Sequence, residues 1–150
     1  MKKIYSLILS VLLLSFLSSC EEKELVQISS NPVPPVVTQP ANGMVYEFTA
    51  ENAELPFNIK WTNADYGFTA IYNYTVQIDK LGNNFAKPVK LGTSEVDSFI
   101  YTVDRFNGAV KKLKFAAGDN PEIEVRVIST VSPVVDDIYS NVNTIRFKVY

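Results

Sequence analysis

Apolar residues fall on every second position through most of this chain, and that period of two constrains the fold more than any other feature. Leu55, Phe57, Ile59 and Trp61 alternate with Pro56, Asn58, Lys60 and Thr62. Tyr72, Tyr74, Val76 and Ile78 alternate with Asn73, Thr75, Gln77 and Asp79. The pattern returns in Phe99, Tyr101 and Val103, in Ile123, Val125 and Val127, and in Ile145, Phe147 and Val149. Successive side chains on a strand point to opposite faces, so each run is an antiparallel strand with one buried and one wet face. Shorter strands are expected at 36–38, 46–49 and 89–91. Turn signals separate the runs: Asn42-Gly43, Asp65-Tyr66-Gly67, Gly82-Asn83-Asn84, Asn107-Gly108 and Gly118-Asp119-Asn120-Pro121. They supply the positive φ angles and pre-set bends that reversals need.

One segment breaks the alternation. Phe106, Val110 and Leu113 stand at i, i+4 and i+7. The spacing predicts a short helix over 104–113, with Asp104 as N-cap and Gly118 closing the region. The expected class is all-β: a two-sheet antiparallel β-sandwich whose one helix crosses an end between two late strands.

Composition narrows the chemistry. There is no histidine, which removes Ser-His-Asp and Cys-His arrangements, the usual zinc and copper ligands and the commonest general base. An enzyme built on this chain would need paired carboxylates, a lysine or a tyrosine. No basic patch tracks phosphates, so nucleic acid is not an expected partner. With a single cysteine there is no disulfide, and 47% hydrophobic residues must hold the fold by core packing.

That cysteine directly follows an expected leader. Lys2 and Lys3 precede an apolar run, then Leu17, Ser18, Ser19 and Cys20, followed by Glu21 and Glu22. Charged start, apolar core and small residues before a cut describe a signal peptide over 1–19. Leu-Ser-Ser-Cys matches the bacterial lipobox, so Cys20 is expected to carry lipid and anchor the chain. The run is about 14 residues, short of the roughly 20 a spanning helix needs. Acyl chains contribute about 0.8 kcal/mol per buried CH₂, and stable anchoring takes more than one chain. The formal charge of −2 becomes −4 once Lys2 and Lys3 leave with the leader. Residues 20–33 read as a tether, first acidic, then rich in Ser29, Ser30, Asn31 and Pro32. At about 3.1 Å per residue it would hold a domain roughly 40 Å off the membrane. The domain is expected over 34–150.

Residues 61–85 carry a family resemblance. Trp61-Thr62-x-Ala64-Asp65-Tyr66-Gly67-Phe68 is followed by Tyr74-x-Val76-Gln77-Ile78-Asp79, by Gly82-x-x-Phe85 and by Leu91-Gly92-Thr93. Val125-Arg126-Val127 and Tyr139-Ser140-Asn141-Val142 extend the match. The chain resembles the N-terminal domain of the SusE family, outer-membrane lipoproteins encoded beside starch and glycan uptake systems. The resemblance implies an immunoglobulin/fibronectin-III-like sandwich on a lipid anchor, accessory to a SusC/SusD-like importer. It also implies further domains bearing the starch-binding aromatic platforms. Those residues have no counterparts here and none is carried over. The run Glu21, Glu22, Lys23 and Glu24 is similar to the acidic export tetrad of surface lipoproteins, which implies a position facing the cell exterior.

Several residues are candidate sites. Trp61 is in phase with Phe57 and Ile59, so core packing is preferred over sugar stacking. Tyr66 and Phe68 flank Gly67 on a loop; they are the candidate glycan contacts, with covering the end of the sandwich as the preferred alternative. Tyr72 and Tyr74 are expected to point inward. Asp65, Asp79, Asp136 and Asp137 offer oxygens for calcium, but without EF-hand spacing a solvated loop is preferred for the last two. Glu122 and Glu124 share a strand face about 7 Å apart, a separation near that of glycosidase carboxylates, yet on a wet face beside Arg126. Asn73-Tyr74-Thr75 matches a glycosylation acceptor but lies within a strand. No catalytic residue, metal or cofactor is expected. The expected function is a non-catalytic surface lipoprotein domain, a spacer or protein-binding module of a glycan uptake system. Direct glycan binding through the loop aromatics is the alternative.

Overall fold

The computed structural model describes residues 27–150. The signal peptide expected at 1–19, Cys20 with its expected lipid and the acidic residues Glu21, Glu22 and Glu24 lie outside the described residues.

Among the described residues, nine strands, one α-helix and a 3-10 turn (Ala50–Asn52, between β2 and β3) succeed one another in chain order: β1 (Val37–Gln39), β2 (Met44–Tyr46), β3 (Pro56–Trp61), β4 (Asn73–Lys80), β5 (Val89–Ser94), β6 (Ser98–Thr102), α1 (Val103–Lys112), β7 (Glu122–Thr130), β8 (Ile138–Tyr139) and β9 (Asn143–Phe147). One sheet has the order β1-β3-β6; the other runs β2-β9-β7-β4-β5, with β8 paired to β7. The inward phase is the one the alternation requires. Phe57, Ile59 and Trp61 meet Tyr74, Val76 and Ile78, Ile123, Val125 and Val127, and Ile145, Phe147 and Val149, none more than 4% exposed. Burial of these faces is the main stabilising term, at about 25 cal/mol per Å² of apolar area. Leu55, expected to lead the first run, is 58% exposed. It precedes β3, and its backbone is what the fold uses: the amide donates to the Asn52 carbonyl at 2.9 Å and the carbonyl accepts from the Val103 amide at 3.1 Å.

The sandwich is not wholly antiparallel. β2 pairs with β9 in parallel, Met44 opposite Ile145 and Tyr46 opposite Phe147. Val37 lies beside Trp61 at one end of the sandwich, whereas Tyr46 packs 5.3 Å from Phe57 near the other. β1 and β2 therefore run the same way. The Asn42-Gly43 bend, with Gly43 at φ +78°, steps the chain from one sheet to the other instead of reversing it.

The helix closes the second end. Phe106 sits among rings, 4.5 Å from Phe57, 5.5 Å from Phe147 and 6.1 Å from Phe48. Its N-cap is Thr102, not the expected Asp104. Thr102 has extended backbone (φ −88°, ψ 156°), and its hydroxyl accepts from the Arg105 amide at 3.2 Å. Asp104 is already in the first turn, where its charge still favours the helix dipole. The expected Asn107-Gly108 turn is also corrected, since both residues are inside α1. Asn107 is buried, donates to the Tyr150 carbonyl at 2.8 Å and accepts from the Tyr150 amide at 3.2 Å. A polar side chain with a satisfied partner is admissible in a core.

The body of the domain reaches back beyond the expected boundary at 34. The Ser29 amide donates to the Tyr66 carbonyl at 2.7 Å. Val33 and Asp65 exchange backbone bonds of 2.7 and 2.9 Å. Residues 29–33, expected in the tether, thus strap onto the 62–67 loop.

Candidate functional site

Strand registers put the 62–72, 95–97 and 131–142 loops and the 29–33 strap at one end of the sandwich. The helix, the 81–88 loop and Tyr150 stand at the other.

Tyr66, expected among the loop aromatics, is 1% exposed. Its hydroxyl donates to the Ser129 carbonyl at 2.7 Å, and its ring lies 5.3 Å from Tyr72 and 6.4 Å from Phe68. Gly67, at φ +85°, turns the chain back above it, and the Gly67 amide donates to Asp65 Oδ1 at 2.7 Å. With both faces covered, Tyr66 has no ring surface for a sugar, and the covering role is the one the fold uses. Phe68 is half-buried; together with Tyr72 it lines an open hollow of about 450 Å³. Tyr72 is half-buried and donates to the Phe68 carbonyl at 2.7 Å. Tyr74 is buried, accepts from the Ala64 amide at 2.9 Å and packs with its ring tilted against Trp61, centroids 5.4 Å apart. Burial pushes the Tyr66 and Tyr74 phenols above their ordinary value, because the charged form loses its hydration. Trp61 is in the core, and its indole Nε1 has no partner.

The carboxylates are used locally. Asp65 holds the Gly67 amide. Asp79 is buried and accepts from the Lys80 amide at 2.7 Å, Asn83 Nδ2 at 2.8 Å and the Lys87 amide at 3.4 Å. Asp137 accepts from the Thr130 hydroxyl at 2.6 Å, and Asp136 is exposed. Among the described residues no three metal-ligating side chains come together. Glu122 pairs with Arg146 on the outer face of the larger sheet, and Glu124 stands opposite Asp79 in register.

Alternation and turn signals do not reveal what Arg126 does. Its guanidinium carbon lies 3.9 Å from the Phe85 ring centroid and 4.8 Å from that of Tyr139. Its Nε and Nη2 both donate to Gln77 Oε1, at 3.0 and 2.9 Å. Burial between the rings lowers the Arg126 pKa. This column covers the outer face of β4, β7 and β8. Only the register Gln77 to Arg126 and the pairing of β8 bring its members together.

Two sheets packed face to face around one core, with strand ends carrying the loops, define a two-sheet β-sandwich. The sequence profile of the SusE outer membrane protein family matches residues 21–128, most of the chain. This chain belongs to the SusE outer membrane protein family, a family of starch-utilisation systems. Among solved structures it is similar to chicken CNTN1 FN1-FN3 domains, at 14% identity and TM-score 0.41, over 77% of this chain and 34% of that one. It is similar too to titin kinase and its flanking domains, at 13% identity and TM-score 0.38, over 80% of this chain and 17% of that one. The chain thus spans about a third or less of these solved chains. No curated protein matches it.

Proposed function

We propose that this chain is a non-catalytic lipoprotein domain that serves a glycan-uptake assembly at the cell surface as a spacer or protein-binding module. Lipid on Cys20 anchors it to the outer membrane facing outward, and a SusC/SusD-like importer is the partner. The observation that carries this reading is the inward placement of Trp61, Tyr66 and Tyr74, which leaves few flat rings for sugars.

The test is co-purification of the full-length lipidated chain with the importer from detergent-solubilised outer membranes. Calorimetry against starch, mannan and xylan runs alongside it. The importer is expected in the eluate, with any neutral glycan bound more weakly than about 100 μM, roughly −5.5 kcal/mol. An empty eluate together with tighter glycan binding overturns the proposal in favour of the second reading. Of the two loop aromatics, that second reading keeps only the half-buried Phe68.

A further inference from the structure

Four lysines crowd one cleft at the helix end of the sandwich. Lys80 ends β4, Lys87 comes from the loop after it, and Lys112 and Lys114 come from the end of α1. They surround about 280 Å³ together with Asn83 and the buried Asp79. Among the described residues, no ammonium of the four comes within 4.0 Å of a carboxylate oxygen. The Asp79 carboxylate is already occupied by two backbone amides and the Asn83 side chain.

A helix C-terminus attracts cations, and that accounts for Lys112 and its neighbour Lys111. It does not account for Lys80 and Lys87, which belong to other elements. Nor does it account for Lys114. That residue stands at φ +72°, and its amide closes the helix by donating to the Lys111 carbonyl at 3.0 Å. Such a left-handed closing position favours glycine, since a Cβ there is strained. The chain carries a cation instead. Four lysines from three segments line one cleft, the Lys80 ammonium standing 5.0 Å from the Phe115 ring centroid, and a bound anion relieves the mutual repulsion of their charges.

We propose that this cleft binds a compact polyanion: a group the size of one or two sugar rings bearing two or more sulfate, phosphate or carboxylate substituents. The lysines supply charge and donors. The inference does not depend on the spacer reading, and its failure leaves the co-purification result untouched.

The experiment uses the full-length chain in an uncharged detergent, titrated by calorimetry at low salt. The probes are a heparin-derived trisulfated disaccharide, inorganic sulfate and maltose. The disaccharide is expected to bind with sub-millimolar affinity, sulfate about tenfold more weakly and maltose not at all. Raising salt from about 50 to about 200 mM shortens the screening length and should weaken the disaccharide severalfold. Lys114→Gly with Lys87→Gln should cost about fivefold or more in affinity. The melting temperature should hold or rise, because glycine suits the left-handed position. Lys60→Gln, on β3, should change nothing. No disaccharide binding at about 5 mM overturns the proposal. Equal binding of inorganic sulfate overturns it too, as does affinity indifferent to the double variant.

Discussion

Tyr66 is where a surface role and a core role separate most cleanly, and two substitutions distinguish them. Tyr66→Phe keeps the ring and removes the hydroxyl that donates to the Ser129 carbonyl at 2.7 Å. A neutral intramolecular hydrogen bond contributes about 1 kcal/mol net. Tyr66→Ala also removes a ring that is 1% exposed and packed against Tyr72 and Phe68. Truncating a buried aromatic costs about 3–5 kcal/mol, a large share of the 5–15 kcal/mol a domain has in total. At roughly 4 °C per kcal/mol for a domain of this size, the expected drops are about 4 °C for phenylalanine and 12–20 °C for alanine. Thermal and urea unfolding of the chain from residue 27 onward is the assay. The urea midpoint should move while the slope stays constant, since a packing loss leaves the exposed area on unfolding nearly unchanged. An alanine variant that melts within about 3 °C of the parent would refute the core assignment. A glycan affinity lost with it would make Tyr66 a sugar contact after all.

The same geometry fixes three other outcomes. Trp61→Ala should cost about 3–5 kcal/mol, whereas Trp61→Phe should cost under about 2 kcal/mol, because the indole Nε1 it deletes has no partner to lose; urea midpoints decide between them. Gly67→Ala forces a left-handed backbone on alanine and drives its Cβ to 2.9 Å from Ser29 Cβ. It should cost about 1–2 kcal/mol and speed hydrogen exchange at the Ser29 amide, which bonds to Tyr66. Alkaline stability is set by the buried phenols. Tyr66 and Tyr74 have folded pKa values above the ordinary 10.0. Their contribution is therefore complete below pH 10.0 and is lost as pH rises through the raised folded values. Tyrosinate absorbance of these two rings should appear together with unfolding, and a smooth titration of every tyrosine in the folded protein would contradict their burial.

Local chemistry was enough for the class of fold. The inward phase of β3, β4, β7 and β9 is readable from single residues because alternation is a property of one strand and needs no partner. The helix is readable for the same reason, through Phe106, Val110 and Leu113, and so are the turns at Gly67, Gly82 and Gly118, each at positive φ. The motifs around Trp61 and Asp79 carried the family. What each loop or outward-facing side chain does was decided elsewhere in the chain. Tyr66 is a core residue because its hydroxyl reaches Ser129, 63 positions away. Asn107 is helical and buried, not a turn, because Tyr150, 43 positions on, satisfies its amide. β2 pairs in parallel because Met44 meets Ile145. Arg126 is held between Phe85 and Tyr139 only once β4, β7 and β8 are in register. The four lysines look like scattered surface charge until the end of β4, the loop after it and the end of α1 converge. A strand's pattern records which face is apolar. Which distant group covers that face, or stands beside its charges, depends on chain crossings and registers that no local period encodes.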